Sequence, residues 1–206
     1  MFKKTHNKTA DAYYGSPEEW KKVVERDDID LLIIATPWEW HTPMTLYGME
    51  QGKHVACEVP VAYTLEDCWK LIETVERTQK HCIMQENCRY NNEEELAWWG
   101  HEWLKPEKYN EYREKHNHPL WDKLKTQISV NSVGHGGMDF VMIYRLIRCL
   151  NQGLPLDINV YDSVLWSAIT PLSELSVAQN SSSIKVPDFT GGTWKNNNKS
   201  EMLRDI

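Results

Sequence analysis

The chain has 206 residues, enough for one ordinary domain or for one domain with an added subdomain. Apolar residues make up 41% and charged residues 26%, and ten Trp and nine Tyr exclude a disordered chain. Thirty acidic residues outweigh 23 basic ones, giving a net charge of −7. Because no run of Lys or Arg interleaves with aromatic residues, the sequence excludes nucleic acid as a partner.

The cysteines and the first residues bear on the cellular compartment. Five cysteines are an odd number, and none form a Cys-x-x-Cys pair, so a reducing compartment is expected rather than a disulfide framework. The first eleven residues are polar, and no window approaches the ~18 to 20 apolar residues of a membrane span. We therefore expect a cytoplasmic protein without a membrane partner, or an exported one if a signal lies upstream.

The first predicted elements are a helix and a strand. Ser16 can cap the helix, Pro17 suits its first turn and Glu19 completes a capping box, so a helix is expected to about residue 26. Residues 30–37 form a continuous β-branched and apolar run ended by a proline. This pattern predicts a strand buried on both faces, as in a parallel sheet.

Two further helix and strand pairs follow. A short helix is expected over residues 41–51, and the next apolar run, residues 54–60, predicts a second strand. Thr64 caps the next helix, with apolar residues along one face at Leu65, Cys68, Trp69, Ile72 and Val75. Residues 82–88 predict a third strand, and this alternation demands right-handed crossovers in a doubly wound sheet.

From residue 91 the sequence becomes charged and rich in Trp and Tyr, and no further strand is convincing. Helices are expected over residues 105–115, 137–150 and 160–179. The predicted fold class is α/β, a partial Rossmann-type parallel sheet with a mainly helical C-terminal part. The expected divisions of the chain are a partial Rossmann-type domain over 1–90, a mainly helical part over 91–194 and a flexible tail over 195–206.

The loop at residues 36–41 follows the first strand, at the sheet edge where doubly wound proteins bind ligands. Trp38 and Trp40 offer flat faces to a nicotinamide or adenine ring, and His41 can hydrogen-bond a ribose hydroxyl. The alternative is that both tryptophans only pack a strand-to-helix turn. The pattern alone does not decide between packing and a site for a nicotinamide or adenine ring.

Polar residues close the other two strands at the same edge. Glu58 could accept from ribose hydroxyls or act as a base, although an exposed strand-end acid is the simpler alternative. Asn87 could hold a carboxamide and Tyr90 could donate or accept a proton, although Asn is also an ordinary strand-ending residue. These residues extend the candidate site.

A glycine-rich stretch, residues 134–139, opens a predicted helix, and bare backbone N–H groups at a helix start attract anions. It does not match the G-x-G-x-x-G fingerprint and follows no convincing strand, so packing is the alternative to a phosphate loop. His135 is a candidate for catalysis or substrate contact. No metal is expected, because the remaining histidines lack ligand spacing apart from the solvated pair His116 and His118.

Five motifs carry a family resemblance. TPWEWHTPM at residues 36–44 and GKHVACEVP at 52–60 resemble the glucose-fructose oxidoreductase and inositol dehydrogenase superfamily. ENCRY at 86–90, GHGGMDF at 134–140 and VPDFT at 186–190 are similar to glycoside hydrolase family 109, whose characterised members are α-N-acetylgalactosaminidases. The resemblance covers about residues 13–90 and 101–194.

The resemblance implies an NAD cofactor and a carbohydrate substrate of the N-acetylgalactosaminide class. It makes residues 1–90 a partial NAD-binding domain and residues 91–194 a helical remnant of a substrate domain. By motif, the residues that would line the NAD site are Trp38, Glu39, Trp40, His41, Glu58, Val59 and Asn87, and the candidate catalytic residues are Tyr90 and His135. Family members are thought to oxidise the C3 hydroxyl, eliminate across C1 and C2, add water and return the hydride. Dehydrogenase relatives usually carry a proton-transferring lysine where this chain has Val59.

Two departures from the family pattern shape the functional expectation. The glycine-rich first turn that cradles a pyrophosphate is missing, and about ten residues stand between Tyr90 and His101 where the family has a long segment. We therefore expect a truncated and internally deleted homologue with weak or no activity, marginally stable or associating into a homo-oligomer. The alternatives are an NAD(P)-dependent sugar dehydrogenase and a noncatalytic remnant or partner subunit.

Overall fold

The first part of the chain is built on a three-stranded parallel sheet. The structure, a computed structural model, describes residues 10–87, 107–108, 111, 114–115, 119–131 and 137–196. The strands β1 (Leu31–Ile34), β2 (His54–Cys57) and β3 (Cys82–Met84) lie side by side in chain order. Leu32 pairs with Val55, and Val55 in turn pairs with Cys82. The predicted α/β class with a partial Rossmann-type sheet is confirmed.

The strand β1 is buried on one face only. Leu32 and Ile34 lie in the hydrophobic core, whereas Ile33, which points to the opposite face, is 59% exposed. The expectation of a strand buried on both faces is therefore wrong for β1. In the described residues the face of β1 that carries Ile33 is open to solvent, so a continuous apolar run does not by itself establish two covered faces.

The described helices before the third strand are α1 (Trp20–Val24), α2 (His41–Glu50) and α3 (Leu65–Thr78). A 3₁₀ turn, Trp38–Trp40, leads directly into α2. Thr64 caps α3 as predicted, because its hydroxyl oxygen accepts from the Asp67 N–H at 3.0 Å. The capping box predicted at α1 does not form, since the Glu19 carboxylate instead accepts from Lys22 at 2.9 Å.

One face of α3 packs on the sheet. Cys68 and Ile72 are buried there as the apolar spacing predicts, and Leu65 and Val75 are partly buried against the same core. Trp69 lies at the margin of this face and contacts the Phe189 ring, with centroids 5.0 Å apart. The amphipathic pattern therefore identifies the face of α3 that packs on the sheet. It overestimates the width of that face, because Trp69 lies at its margin.

A late helix completes the first unit. The helix α6 (Val160–Ala178) packs against α3 and β3, with Val164, Ala168 and Leu172 in the core. It also supplies hydroxyl groups to the sheet, since the Met84 N–H donates to Ser163 Oγ at 2.9 Å. The first unit therefore comprises residues 1–84 and 160–189.

The second unit comprises residues 85–159 and 190–206. Its described helices are α4 (Pro119–Asn131), which was not predicted, and α5 (Met138–Gln152), which pack on each other. Gly137 precedes α5 at φ +101°, and a Cβ there would lie 2.6 Å from Ile128 Cγ2. Arg145 and Asp157 form a buried ion pair, with N···O distances of 2.7 and 2.8 Å.

This grouping differs from the linear boundaries predicted at residues 90 and 194. Burial of its apolar side chains brings α6 back onto the sheet, so the first unit is discontinuous in sequence. The helices predicted over 137–150 and 160–179 are confirmed to within two residues at each end. Most of the helix predicted over 105–115 and most of the tail after residue 195 lie outside the described residues.

Two histidines stack at the amino edge of the sheet. The rings of His54 and His81 are 4.9 Å apart, and the His81 N–H donates to His54 Nδ1 at 3.0 Å. Burial lowers the pKa of His54 below its usual 6.5, the charges on His81 and Lys80 lower it further and Asp30 opposes them. Burial and Lys80 also lower the pKa of His81.

Within the described residues, no helix is long and apolar enough to cross a membrane.

We predict that replacing Thr64 with alanine lowers the free energy of unfolding by about 1 kcal/mol, because the Asp67 N–H loses its acceptor. Thr64→Ser keeps a hydroxyl and is the matched control. Urea titration followed by circular dichroism measures both variants. An alanine variant as stable as the serine variant would show that the cap contributes nothing.

The stacked histidines predict a loss of stability in acid. Their folded-state pKa values are depressed, so below about pH 6.5 the unfolded chain takes up protons that the folded chain does not. Stability should be full above this pH and should fall as the pH drops toward the folded-state pKa values. Urea midpoints measured from pH 8 to pH 5 test this, and the double variant His54→Asn, His81→Asn should show a flatter profile.

Candidate functional site at the carboxyl edge of the sheet

The carboxyl ends of β1 and β2 open into two adjacent loops. The Glu58 N–H donates to the Ile34 carbonyl at 3.0 Å, so Glu58 lies beside the point where β1 ends. The first loop carries the 3₁₀ turn with Trp38, and the second carries Glu58 and Val59. Parallel sheets of this class bind ligands at this edge.

Trp38 and Glu39 are exposed on the first loop, and Trp40 is half-buried. Trp38 is 54% exposed, and its ring lies 5.8 Å from the ring of Tyr63, tilted by 55°. Tyr63 was not predicted as a site residue, although its position five residues after Glu58 in the loop that follows β2 was a usable signal. The loops therefore bring a second aromatic ring to the edge.

Glu58 and Val59 are both exposed, in the same loop as Tyr63. Glu58 therefore has the accessible carboxylate that a contact with ribose hydroxyls requires. Val59 presents an apolar side chain without a titratable group. The Val59-Pro60 peptide bond is cis.

His41 is buried beneath the two loops, at 1% exposure. Its Nδ1 lies 2.7 Å from the Pro60 carbonyl oxygen and its Nε2 lies 2.9 Å from the Thr36 carbonyl oxygen. Whichever nitrogen carries the proton, the ring donates to one of the two loops. The ribose contact predicted for His41 would require one of these interactions to open, so His41 in this geometry supports the loops.

Two more side chains hold the second loop. Thr42, at the start of α2, donates from its hydroxyl to the Val61 carbonyl at 3.0 Å. On the other side, the Val61 N–H donates to Ser167 Oγ on α6 at 3.2 Å. Val61 and Ala62 are buried, so the loop is anchored from α2 and from α6.

Asn87 belongs to the second unit, where its amide donates to the Asp139 carboxylate at 2.7 Å. Its predicted carboxamide contact therefore competes with an existing partner. Tyr90 and His135, the predicted catalytic residues, lie outside the described residues, as do Gly134 and Gly136. Gly137 is described, and a side chain at this position would collide with Ile128 and come close to Trp121. Packing is therefore sufficient to explain why a glycine is needed here.

The described cysteines are buried and free, and they do not resemble nucleophiles. Burial raises the pKa of Cys57, next to Glu58, to about 12 and that of Cys68 to about 11. A thiol with such a pKa is protonated near neutrality. In the described part of the chain, no three His, Cys, Asp or Glu side chains are grouped so that they could hold a metal ion, and the pair His116 and His118 lies outside it.

Comparison with protein families identifies the chain. Residues 68–196 match the family model described as glycosyl hydrolase 109, C-terminal domain. The chain belongs to glycosyl hydrolase family 109. Residues 3–86 of this family 109 protein match the oxidoreductase family with an NAD-binding Rossmann fold, which confirms NAD as the cofactor type of the first domain.

Curated relatives carry the same family name. A family 109 protein from Solibacter usitatus is 28% identical over 335 aligned residues, which span 89% of this chain and 76% of the relative. The protein named alpha-N-acetylgalactosaminidase from Shewanella oneidensis is 26% identical over 341 residues, spanning 89% and 74%. Because the first alignment spans 335 positions and the chain has 206 residues, at least 129 positions of that relative have no counterpart here.

Similar solved structures include an NAD binding oxidoreductase from Klebsiella pneumoniae and a putative oxidoreductase from Bacteroides fragilis. The first is 24% identical with a TM-score of 0.35 over 38% of this family 109 chain, and the second is 22% identical with a TM-score of 0.39 over 47%. The matches cover only 21% and 29% of those two proteins.

We predict that replacing His41 with leucine lowers the free energy of unfolding by about 1 to 3 kcal/mol, because a carbonyl oxygen loses its donor. His41→Gln keeps a donor and should lose less. Urea titration of the two variants against the parent measures the difference. If leucine is tolerated without loss, the interaction between the loops is not a source of stability.

Proposed function

We propose that the chain binds NAD at the carboxyl edge of its sheet and is a glycosidase of the type that hydrolyses α-N-acetylgalactosaminides through transient C3 oxidation. We further propose that its turnover is weak or absent. The observation that carries the proposal is that Glu58 and Val59 are exposed at the end of β2, at the same sheet edge as the loop with Trp38, in a domain that matches the NAD-binding family. The name of the Shewanella oneidensis relative supports the substrate class.

The residues at this edge fit the ring and ribose parts of the cofactor. Trp38 offers an exposed aromatic face, and the Glu58 carboxylate can accept from ribose hydroxyls. The loops after the three strands, residues 35–40, 58–64 and 85–87, contain no glycine. None of these three loops is a glycine-rich pyrophosphate cradle of the usual kind, so we assign this edge to the ring and ribose parts of the cofactor.

NAD, when bound, supplies the hydride acceptor for the C3 hydroxyl and returns the hydride, so that the net reaction is hydrolysis. The chain's own residues hold and orient the reactants. Glu58 would bind ribose, and Trp38, Glu39 and Trp40 would line the same site. His41 supports the loops from below, and Tyr90 and His135 are proposed to move protons at the sugar.

Val59 favours a glycosidase over a sugar dehydrogenase. Dehydrogenases of the superfamily usually carry a lysine at this position for proton transfer, and an isopropyl side chain has no proton to transfer. The exposure of Val59 puts an apolar surface where that ammonium group would be. A dehydrogenase reading would need another residue to take over the proton.

A noncatalytic partner subunit is the second candidate. The observation that favours it is the alignment with the Solibacter relative, in which at least 129 positions have no counterpart among the 206 residues. Substrate must be held within about 1 Å of its productive position, and misplacement can cost on the order of a hundredfold in rate. The loss of so many positions supports weak turnover for the same reason.

The test measures binding and turnover separately. We predict that NADH binds the parent chain weakly and that Glu58→Gln reduces its affinity about tenfold, because a charged acceptor of a hydroxyl is lost. Isothermal titration with NADH measures this. Incubation with excess NAD and an aryl α-N-acetylgalactosaminide should release aryl product no faster from the parent than from Glu58→Ala.

Glu73→Gln is the matched binding control, because Glu73 is an exposed carboxylate on α3, away from the edge. Robust NAD-dependent product release that Glu58→Ala abolishes would overturn weak turnover and establish a working glycosidase. Equal loss of NADH affinity in the Glu58 and Glu73 variants would refute the assigned site. A parent chain that does not bind NADH at all would favour the noncatalytic partner subunit.

A further inference from the structure

Tyr63 stands at the edge of the sheet without a role in the proposed function. The residue is 42% exposed, and its ring lies 5.8 Å from the Trp38 ring with a tilt of 55°. We call Trp38 and Tyr63 the aromatic pair. The two rings come from different loops, one after β1 and one after β2, so the fold and not local sequence brings them together.

The base of the pair is fixed. Pro60 is held through its carbonyl by His41 at 2.7 Å, and Val61 is held through its carbonyl by Thr42 and through its N–H by Ser167. On the other side of Tyr63, Thr64 begins α3 as its cap. The Tyr63 backbone therefore lies between two anchored points, and its ring is presented to solvent from a fixed base.

Such an arrangement suits ring binding. A fixed base lowers the conformational entropy that a binding loop would otherwise lose, and an exposed aromatic face gains by covering its apolar surface. Two rings tilted by 55° form a wedge, and a flat ring can stack on one while its edge meets the other. Both Trp38 and Tyr63 also retain a polar hydrogen-bonding group.

We propose that Tyr63 is a cofactor-binding residue and that the aromatic pair takes a planar heteroaromatic ring of the dinucleotide. The nicotinamide and the adenine share this chemistry, and the experiment separates them. This inference rests on the proposed function, because it assigns the same edge to NAD. The Glu58 carboxylate, five residues before Tyr63, is available to the ribose attached to that ring.

The experiment is an equilibrium titration of the full chain with NADH, with reduced nicotinamide mononucleotide and AMP as separate ligands. Because Tyr63→Ala removes the stacking surface for the ligand ring, it should weaken NADH binding about tenfold. Tyr63→Phe keeps the ring and should bind within about twofold of the parent. The mononucleotide that loses affinity in Tyr63→Ala identifies the ring that the pair holds.

Tyr14→Ala is the control, since Tyr14 is 84% exposed in the segment before α1. Unchanged NADH affinity in Tyr63→Ala would overturn this inference and leave the proposed function intact. A parent chain that binds none of the three ligands would overturn both. A loss for Tyr14→Ala as large as that for Tyr63→Ala would also overturn it.

Chemical footprinting of the parent chain keeps the inference testable if Tyr63→Ala does not fold. Tetranitromethane nitrates exposed tyrosines, and peptide mass spectrometry reports each position. Saturating NADH should slow nitration of Tyr63 several-fold and leave Tyr14 unchanged. Equal nitration of Tyr63 with and without bound NADH would refute contact.

Discussion

The geometry of the site depends on the interaction of one buried imidazole with two loops. His41 lies between the Thr36 and Pro60 carbonyl oxygens, which belong to the loops after β1 and β2. Backbone carbonyls inside a protein need a donor, and these loops have left the strand ladder that would supply one. The side chain takes the place of the ladder and sets the spacing between the loops. Trp38, Glu58 and Tyr63 are presented above this bridge.

The site also depends on α6, which is remote in sequence. Ser167 accepts from the Val61 N–H, and its own hydroxyl contacts Met84 Sδ at 3.6 Å. Ser163 accepts from the Met84 N–H, so two hydroxyls one helical turn apart serve a loop and a strand end. Small polar residues suit this position, because they allow the helix to approach the sheet while satisfying backbone donors. A helix with only apolar side chains here would leave those donors unpaired.

Local patterns predicted the elements well. Apolar runs predicted the positions of β1 to β3, and the side-chain chemistry within a few residues predicted the cap at Thr64. The sequence did not predict that β1 lies at the edge of the described sheet, because the sequence of a strand does not determine how many other strands pair with it. The return of α6 to the first unit was also hidden, since it depends on contacts across about a hundred residues.

The candidate site was predicted in part for the same reasons. Strand ends identify Trp38 and Glu58 directly, because the residues that follow parallel strands lie at one edge. The roles of the other residues depend on contacts that the motifs do not show. His41 is buried between two backbone carbonyls, and Tyr63 meets Trp38 at the edge because of the path of its loop. Asn87 belongs to the second unit and donates to Asp139 there. Because these two residues are far apart in sequence, no local pattern predicts their contact.

The discontinuous first unit has a consequence for how the protein is made. The bond between Val61 and Ser167 joins residues 106 apart, and the bond between Met84 and Ser163 joins residues 79 apart. During synthesis the sheet and its first helices leave the ribosome well before α6, at about 5 to 20 residues per second. For several seconds the apolar surface of the nascent sheet is not covered by α6, and the loop after β2 lacks its contact with Ser167. Non-local closure of this kind is slow, so chaperone contact has time to occur before the carboxyl edge of the sheet is complete.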